Sequence, residues 1–356
     1  MATKQKKASI WSSITKLKKV DREGYLKLIK RIRIFVTLAF IASAVVFIAI
    51  AVFGGIQNVV GIILSANLGI FALAFVCQFS GYLIKYWKWT YYLKRLGIKV
   101  PLRKNLMVYL SIYSMDITPG MIGRIVAAYT LRRITKIKFT HILPVVTMDI
   151  FTDFLGVGIL AFIAAVWAKH FVLYVLLLDI VLVLPFLFLT NAWVFNFIKN
   201  KLKGSKFVKM FSLYGDEYYA SQSVLNKHHV YLVSLAFTLP AAFLTSLTLY
   251  FSLVAVGVHP QIGTSTFIWN SAQVFGMISA VPGNIGITDG TLVALLGTYL
   301  NLQSDVSSAV TIMSRLATLW LGFISGTIFL FYTMRYWKPK AHEILHKSRA
   351  LKLDGK

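Results

Sequence analysis

Cysteine, acidic side chains and nucleotide-binding motifs are what this sequence has least of. A single cysteine, Cys77, excludes an internal disulfide and any thiolate metal cluster. It lies in an apolar run, where inert packing is its expected role. Asp and Glu number 12 against 38 Lys and Arg, for a formal charge of +26. No Gly-x-x-x-x-Gly-Lys-Ser/Thr loop marks an NTPase, and no His-Glu-x-x-His marks a metalloprotease. The seven His are scattered. His228-His229 stands at the edge of an apolar run, where reaching the interface suits it better than metal binding. No Ser-His-Asp arrangement stands out, so a catalytic role is not expected. Neither a cofactor nor a metal is expected. The alternating segments of a β-barrel, roughly ten residues each, are also missing.

What is present is apolar. Hydrophobic residues make up 57% of the 356, aromatics 14%, and mean hydropathy is +0.70. Apolar runs longer than about 18 residues recur, which identifies an all-α integral membrane protein. They leave no room for a separate soluble catalytic domain. In a soluble protein such basicity would suggest nucleic acid. Here the basic residues sit in short connections, so orientation and anionic-lipid contact explain them, and no nucleic-acid partner is expected.

In chain order, residues 1–32 form a basic lead with Ile10, Trp11, Ile14, Leu17, Leu26 and Ile29 spaced as one helical face. An interfacial amphipathic helix is expected there, a partly disordered tail being the alternative. The lead is too long and basic for a cleavable signal peptide. Full spans are expected at about 33–55, 62–84, 140–167, 171–197, 229–256 and 304–334. The mixed Lys and aromatic residues from Lys85 to Arg95 read as the headgroup level.

Two stretches do not cross. The run from Asn105 to Ile117 is shorter than the about 20 residues a span needs, and it breaks at Pro119-Gly120. A matching break stands at Pro282-Gly283. Pro-Gly-x-Ile-Gly occurs in both, and each is expected to be a re-entrant hairpin, about 105–131 and about 263–300. Pro119, Gly120, Gly123, Pro282, Gly283 and Gly286 are the expected hinges.

All Lys and Arg except Arg124, Lys169 and Arg315 fall in five basic stretches: the lead to Arg33, 85–104, 132–138, 199–227, and the tail from 335. The positive-inside rule then places both termini and these loops in the cytoplasm. The six full helices and two hairpins divide into repeat 1 (33–167, hairpin opening inward) and repeat 2 (171–334, hairpin opening outward), an inverted-topology pair. The segment 335–356 is a basic cytoplasmic tail. Broken helices at matching positions of inverted repeats point to a binding site near the midplane.

Charge inside hydrocarbon is costly, so the residues that remain there are informative. They are Asp116, Arg124, Asp149, Asp153, Asp179, Asp289 and Arg315. Asp149 and Asp153 share one helical face at i, i+4. They suit a cation or proton, or an Arg. A buried guanidinium at Arg124 or Arg315 suits bidentate contact with phosphate. Asp289 is expected to pair with an Arg across the repeats. Asn270, Gln273, Ser279 and Asn284 line the same cavity or bond between helices. Structural ion pairing that touches no substrate is the alternative reading of the charged set, and Asp179 fits it best.

At the two hairpins the chain resembles the flippase-like family that includes the transmembrane region of lysylphosphatidylglycerol synthases. The resemblance covers about 30–336. Val281-Pro282-Gly283-Asn284-Ile285-Gly286-Ile287-Thr288-Asp289 is similar to the family's Pro-Gly-Gly-x-Gly stretch with its following acid. Thr118 to Gly123 is similar to its first hairpin, and Thr147 to Asp153 to its acidic helix. Arg124 stands where an acid is expected, Ala127 or Ala128 where Arg is, Ile150 for another Arg, and Asp289 for Glu. The resemblance implies lipid movement between leaflets.

The leading expectation is therefore a plasma-membrane lipid translocase for an anionic, phosphate-bearing or polyprenyl-phosphate-linked lipid. Arg124 and Arg315 would hold the headgroup, with Asp116, Gln273 and Asn284 beside them. Asp149, Asp153 and Asp289 would pair with the Args or take up a coupling proton or cation. A membrane-embedded transferase with a donor site in the 198–228 loop is the enzymatic alternative. A non-catalytic partner of a glycosyltransferase is the third.

Overall fold

A computed structural model describes residues 40–168, 172–190 and 215–335, with the single positions 34, 37, 38 and 193. The basic lead, Lys169, the loop residues 199–214 and the tail beyond 335 lie outside the described residues. Everything described is helix, turn or short connection.

The chain begins with α1 (Phe40–Phe53) and α2 (Ile56–Ser65), which meet at a bend of 101°. Gly54-Gly55 makes the corner, and Gly55 has φ 83. Asn67 then caps α3 (Leu68–Arg95), its side chain accepting from the Ile70 amide at 3.1 Å. The second span thus starts at Leu68 and ends at Arg95, later at both ends than the 62–84 read from hydropathy. A bent helix fills the front of that window. At the back, Lys88, Trp89 and Tyr92 are buried between helices, with Lys88 and Trp89 wholly enclosed. The headgroup reading of Lys85 to Arg95 fails there because Lys88 finds carboxylates inside the bundle.

The first interruption consists of α4 (Leu102–Ser111), a 3₁₀ turn (Ile112–Met115), a second 3₁₀ turn (Pro119–Arg124) and α5 (Ile125–Thr135). Next come α6 (Phe139–Ala168), α7 (Val172–Thr190), α8 (Gly215–Leu225) and α9 (His228–Ala255). The second interruption has the same form: α10 (Ile262–Ser279), a 3₁₀ turn (Pro282–Asn284) and α11 (Ile287–Leu300). The last helix runs as α12 (Ser304–Arg315), a π-turn (Leu316–Trp320) and α13 (Leu321–Arg335).

Four helices are long and apolar enough to cross a membrane: Leu68–Arg95, Phe139–Trp167, His228–Ala255 and Ser304–Met334. A fifth crossing is possible by length if α1 and α2 count as one bent unit. The apolar part of α7, Val172–Leu184, is shorter. The protein is an all-helical, multi-pass integral membrane protein.

Its core is a layer of large side chains. Trp89, Tyr92, Tyr109 and Trp269 are nearly or fully buried. Helix α3 packs along α9, and Gly81 permits it: a Cβ there would sit 3.2 Å from the Ala241 carbonyl oxygen. Helix α6 is mostly apolar, as suits a helix packed among others, with Asp149 and Asp153 the charged exceptions. It is flanked by α7, α9, α10 and α5. Outward faces of α1, α3 and α7 expose large apolar side chains such as Val52, Val76 and Leu184, as lipid contact requires.

Candidate functional site

The two Pro-Gly breaks meet. Ile117 of the first and Ile285 of the second are both buried in one apolar contact, with Val46, Leu319 and Phe323 around them. A Cβ on Gly283 would lie 3.3 Å from Ile117 Cγ1. The backbone at both breaks is unusual for the residues present. Met121 (φ 58) in the first, and Ala280 (φ 51) and Asn284 (φ 55) in the second, take the left-handed conformation. Beside them Gly283 (φ 63) and Gly286 (φ 82) take it without a Cβ to clash.

Three acids and three bases form a cluster behind the first break. Arg124 donates from Nε and Nη2 to the two oxygens of Asp116, at 2.6 and 2.8 Å. Its Nη1 donates to Asp149 and Asp153, each at 3.2 Å. Lys88, fully buried, donates to Asp153 at 2.7 Å, to Thr152 Oγ1 at 3.0 Å and to the Asp149 carbonyl at 3.2 Å. Its ammonium also lies 3.1 Å from Asp149 Oδ1, a charge contact without hydrogen-bond alignment. Lys85 adds a third cation to Asp153, at 3.2 Å. Formal charges in this cluster cancel, which is how it survives burial.

At the second break, Arg315 Nε lies 2.8 Å from Asp289 Oδ1. The N–H is not aligned on that oxygen, so attraction between charges holds the pair. Asp289 accepts through Oδ2 from the Gly286 amide at 2.7 Å, which caps α11. Arg315 Nη2 donates to the Gly283 carbonyl at 2.9 Å. Asp289 therefore pairs within its own half of the chain, not across halves as read from the sequence. The short turn after Leu300 folds α12 directly against α11 and brings Arg315 to the tip.

Between these clusters lies a cavity of about 130 Å³. Asp116, Arg124, Asp153, Gln273, Gly283, Asn284 and Arg315 line it, so these seven residues singled out in the sequence share one cavity. Asn270 lines it too. Asp149 and Asp289 stand behind, buried and bound to the lining cations. Ser279 instead donates to the Gly276 carbonyl at 2.6 Å. Asp179 is remote: it faces Gly158 of α6, with Oδ1 buried and unpartnered. His229 lies 2.9 Å from Arg95.

Several residues of the site do not stand out in the sequence. Lys85 and Lys88 were counted with a basic loop, although their i, i+3 spacing matches the i, i+4 spacing of Asp149 and Asp153 on α6. Tyr82 and Tyr113 stack at 3.7 Å, and Arg124 lies 5.9 Å over the Tyr113 ring. Tyr82 also donates to the Thr318 carbonyl in the π-turn at 3.3 Å. Trp269 contributes an aromatic wall. No periodicity distinguishes these from ordinary core aromatics. Among the described residues no cluster of His, Cys, Asp and Glu has the arrangement of a metal site.

Fold and site together define a multi-pass helical membrane protein with two broken helices meeting at an ion-paired cavity. The chain belongs to the family described as the lysylphosphatidylglycerol synthase TM region, whose model matches residues 34–326. It is similar to a UPF0104 membrane protein of Methanocaldococcus jannaschii, 23% identical over 316 residues, covering 82% of this chain and 93% of that protein. It is also similar to a UPF0104 membrane protein of Methanothermobacter thermautotrophicus, 21% identical over 345 residues, covering 88% of this chain and 97% of that one.

Proposed function

We propose that this protein is a lipid translocase that moves an anionic, phosphate-bearing or polyprenyl-phosphate-linked lipid between leaflets of the plasma membrane. The observation that carries this reading is the single cavity on which both Pro-Gly breaks and Arg315 converge. Its charged and polar lining suits a polar headgroup, and the acyl chains would stay among the exposed apolar helix faces. In this reading the chain spans the bilayer six times, carries two re-entrant hairpins in inverted repeats, and keeps both termini in the cytoplasm. Movement of the hairpins, hinged at their Pro-Gly turns, would expose the cavity to alternate sides. The step is transport without covalent chemistry. Every acid of the site already holds a cation, so uptake of a coupling proton or cation would require a pair to open.

Reconstitution in liposomes tests this. Wild-type protein should accelerate leaflet exchange of a labelled phosphate-bearing lipid, and Arg315→Ala should slow it by about tenfold or more, the worth of a lost charge-assisted contact. Exchange at the protein-free rate across anionic, zwitterionic and polyprenyl-phosphate lipids would sink the reading.

A further inference from the structure

Resting on that reading, the structure assigns the phosphate of the headgroup to Lys85 and Arg315, which line the same cavity, and withdraws Arg124 from that role. Four of the five N–H groups of Arg124 are taken. Three carboxylates take its Nε, Nη1 and Nη2, its side chain is 4% exposed, and releasing it would take a cation from Asp149 and Asp153, both buried. Lys88 is likewise enclosed, with carboxylate, hydroxyl and carbonyl partners filling its ammonium.

Lys85 differs from both. Its side chain is 15% exposed, it lines the cavity, and among the described residues Asp153 is its one charged partner. Asp153 also holds Lys88 at 2.7 Å and Arg124 at 3.2 Å. If Lys85 turned to an anion, Asp153 would keep Lys88 and Arg124, both shared with other carboxylates. Lys85 is therefore the cation that can turn to an incoming anion at least cost. Arg315 is as enclosed as Arg124, with 4% of its side chain exposed, but it keeps donors to spare. Only Nε and Nη2 are engaged, so the Nη1 donors remain for a ligand, and Asp289 keeps the Gly286 amide if Arg315 shifts. An ammonium and a guanidinium from separate helices fit a phosphate group, with the guanidinium supplying direction and the ammonium a point charge.

The test uses full-length protein in detergent, with bound ligand followed by native mass spectrometry. The ligands are dihexanoyl phosphatidic acid, inorganic phosphate, and dihexanoylglycerol, which lacks the phosphate. Phosphatidic acid should bind. Lys85→Gln and Arg315→Gln should each weaken it by about tenfold or more, and Lys85→Arg should restore most of the loss. Dihexanoylglycerol should not bind the wild type. Lys85→Gln binding like the wild type overturns the assignment. So does dihexanoylglycerol binding as tightly as phosphatidic acid, a comparison that needs no variant to fold. Lys85-dependent binding of inorganic phosphate alone would support the clamp and assign it to a free anion rather than a lipid. Leaflet exchange measured beside it separates the two conclusions. Exchange with Lys85-independent binding leaves the translocase and removes the clamp, whereas Lys85-dependent binding without exchange does the reverse.

Discussion

Asp289 on the second broken helix pairs with Arg315 on the helix that follows it, and the first half of the chain holds the same link with its signs exchanged. There Arg124 is on the broken helix and Asp149 and Asp153 are on the following one. Either arrangement ties the tip of a broken helix to its neighbouring helix and leaves the buried charges paired. Low dielectric demands compensation and is indifferent to which partner carries which sign.

Removing one member of the second pair should be costly. Asp289→Asn leaves the Arg315 guanidinium uncompensated and is expected to lower stability by about 3–5 kcal/mol. Asp289→Leu combined with Arg315→Met replaces the pair by apolar groups and should recover most of that loss. Thermal unfolding in one detergent checks both. A double variant that folds normally but has lost leaflet exchange would assign the pair a role beyond packing.

Lys85 and Lys88 stand one helical turn apart and should respond differently. Lys88→Met leaves Asp149 with Arg124 alone and Asp153 with Arg124 and Lys85, so a loss of about 3–5 kcal/mol is expected. Lys85→Met removes a contact that Lys88 and Arg124 back up at Asp153 but leaves the cluster one cation short, so it should cost less than Lys88→Met. The two melting curves, recorded side by side, decide this; equal losses would mean that the compensation at Asp153 is not redundant.

Ala280 ends α10 in the left-handed conformation with its side chain exposed, so no packing is lost on removing the methyl. The conformation costs a residue with a Cβ about 1–2 kcal/mol, of which glycine's greater freedom in the unfolded chain returns part. Ala280→Gly should therefore stabilise by about 0.5–1 kcal/mol, read as a higher melting temperature. Gly283→Ala, at φ 63 and beside Ile117, should do the opposite.

Outside the spans, Glu217 on α8 accepts from Lys138 and from Thr140 at 2.7 Å, and these bonds hold its carboxyl below the ordinary carboxylate range. A depressed carboxyl stabilises the folded state above its unfolded value, and that contribution fades as pH falls through the ordinary range to the folded value. Docking of α8 against the start of α6 should weaken correspondingly. Glu217→Gln at neutral pH should reproduce the effect as faster amide exchange in residues 215–225. Unchanged exchange there would show that the His141–Ser221 contact at 2.6 Å is sufficient by itself.

Much of the architecture is legible in the chain because solvent imposes it. Hydrocarbon permits only satisfied backbone, so long apolar runs must be helices, and Pro119-Gly120 and Pro282-Gly283 must interrupt them. Asp116, Arg124, Asp153, Asn284 and Arg315 stand out one by one because each is costly where it lies. That Asp289 answers to Arg315, that Arg124 is spent on three acids, and that Lys85 is spare depend on distances between helices far apart in sequence. A basic residue near a span end reads the same whether it reaches a headgroup or turns inward to an acid. Lys88 turned inward because Asp149 and Asp153 were on the facing helix, and only the packing of α3 against α6 could decide that.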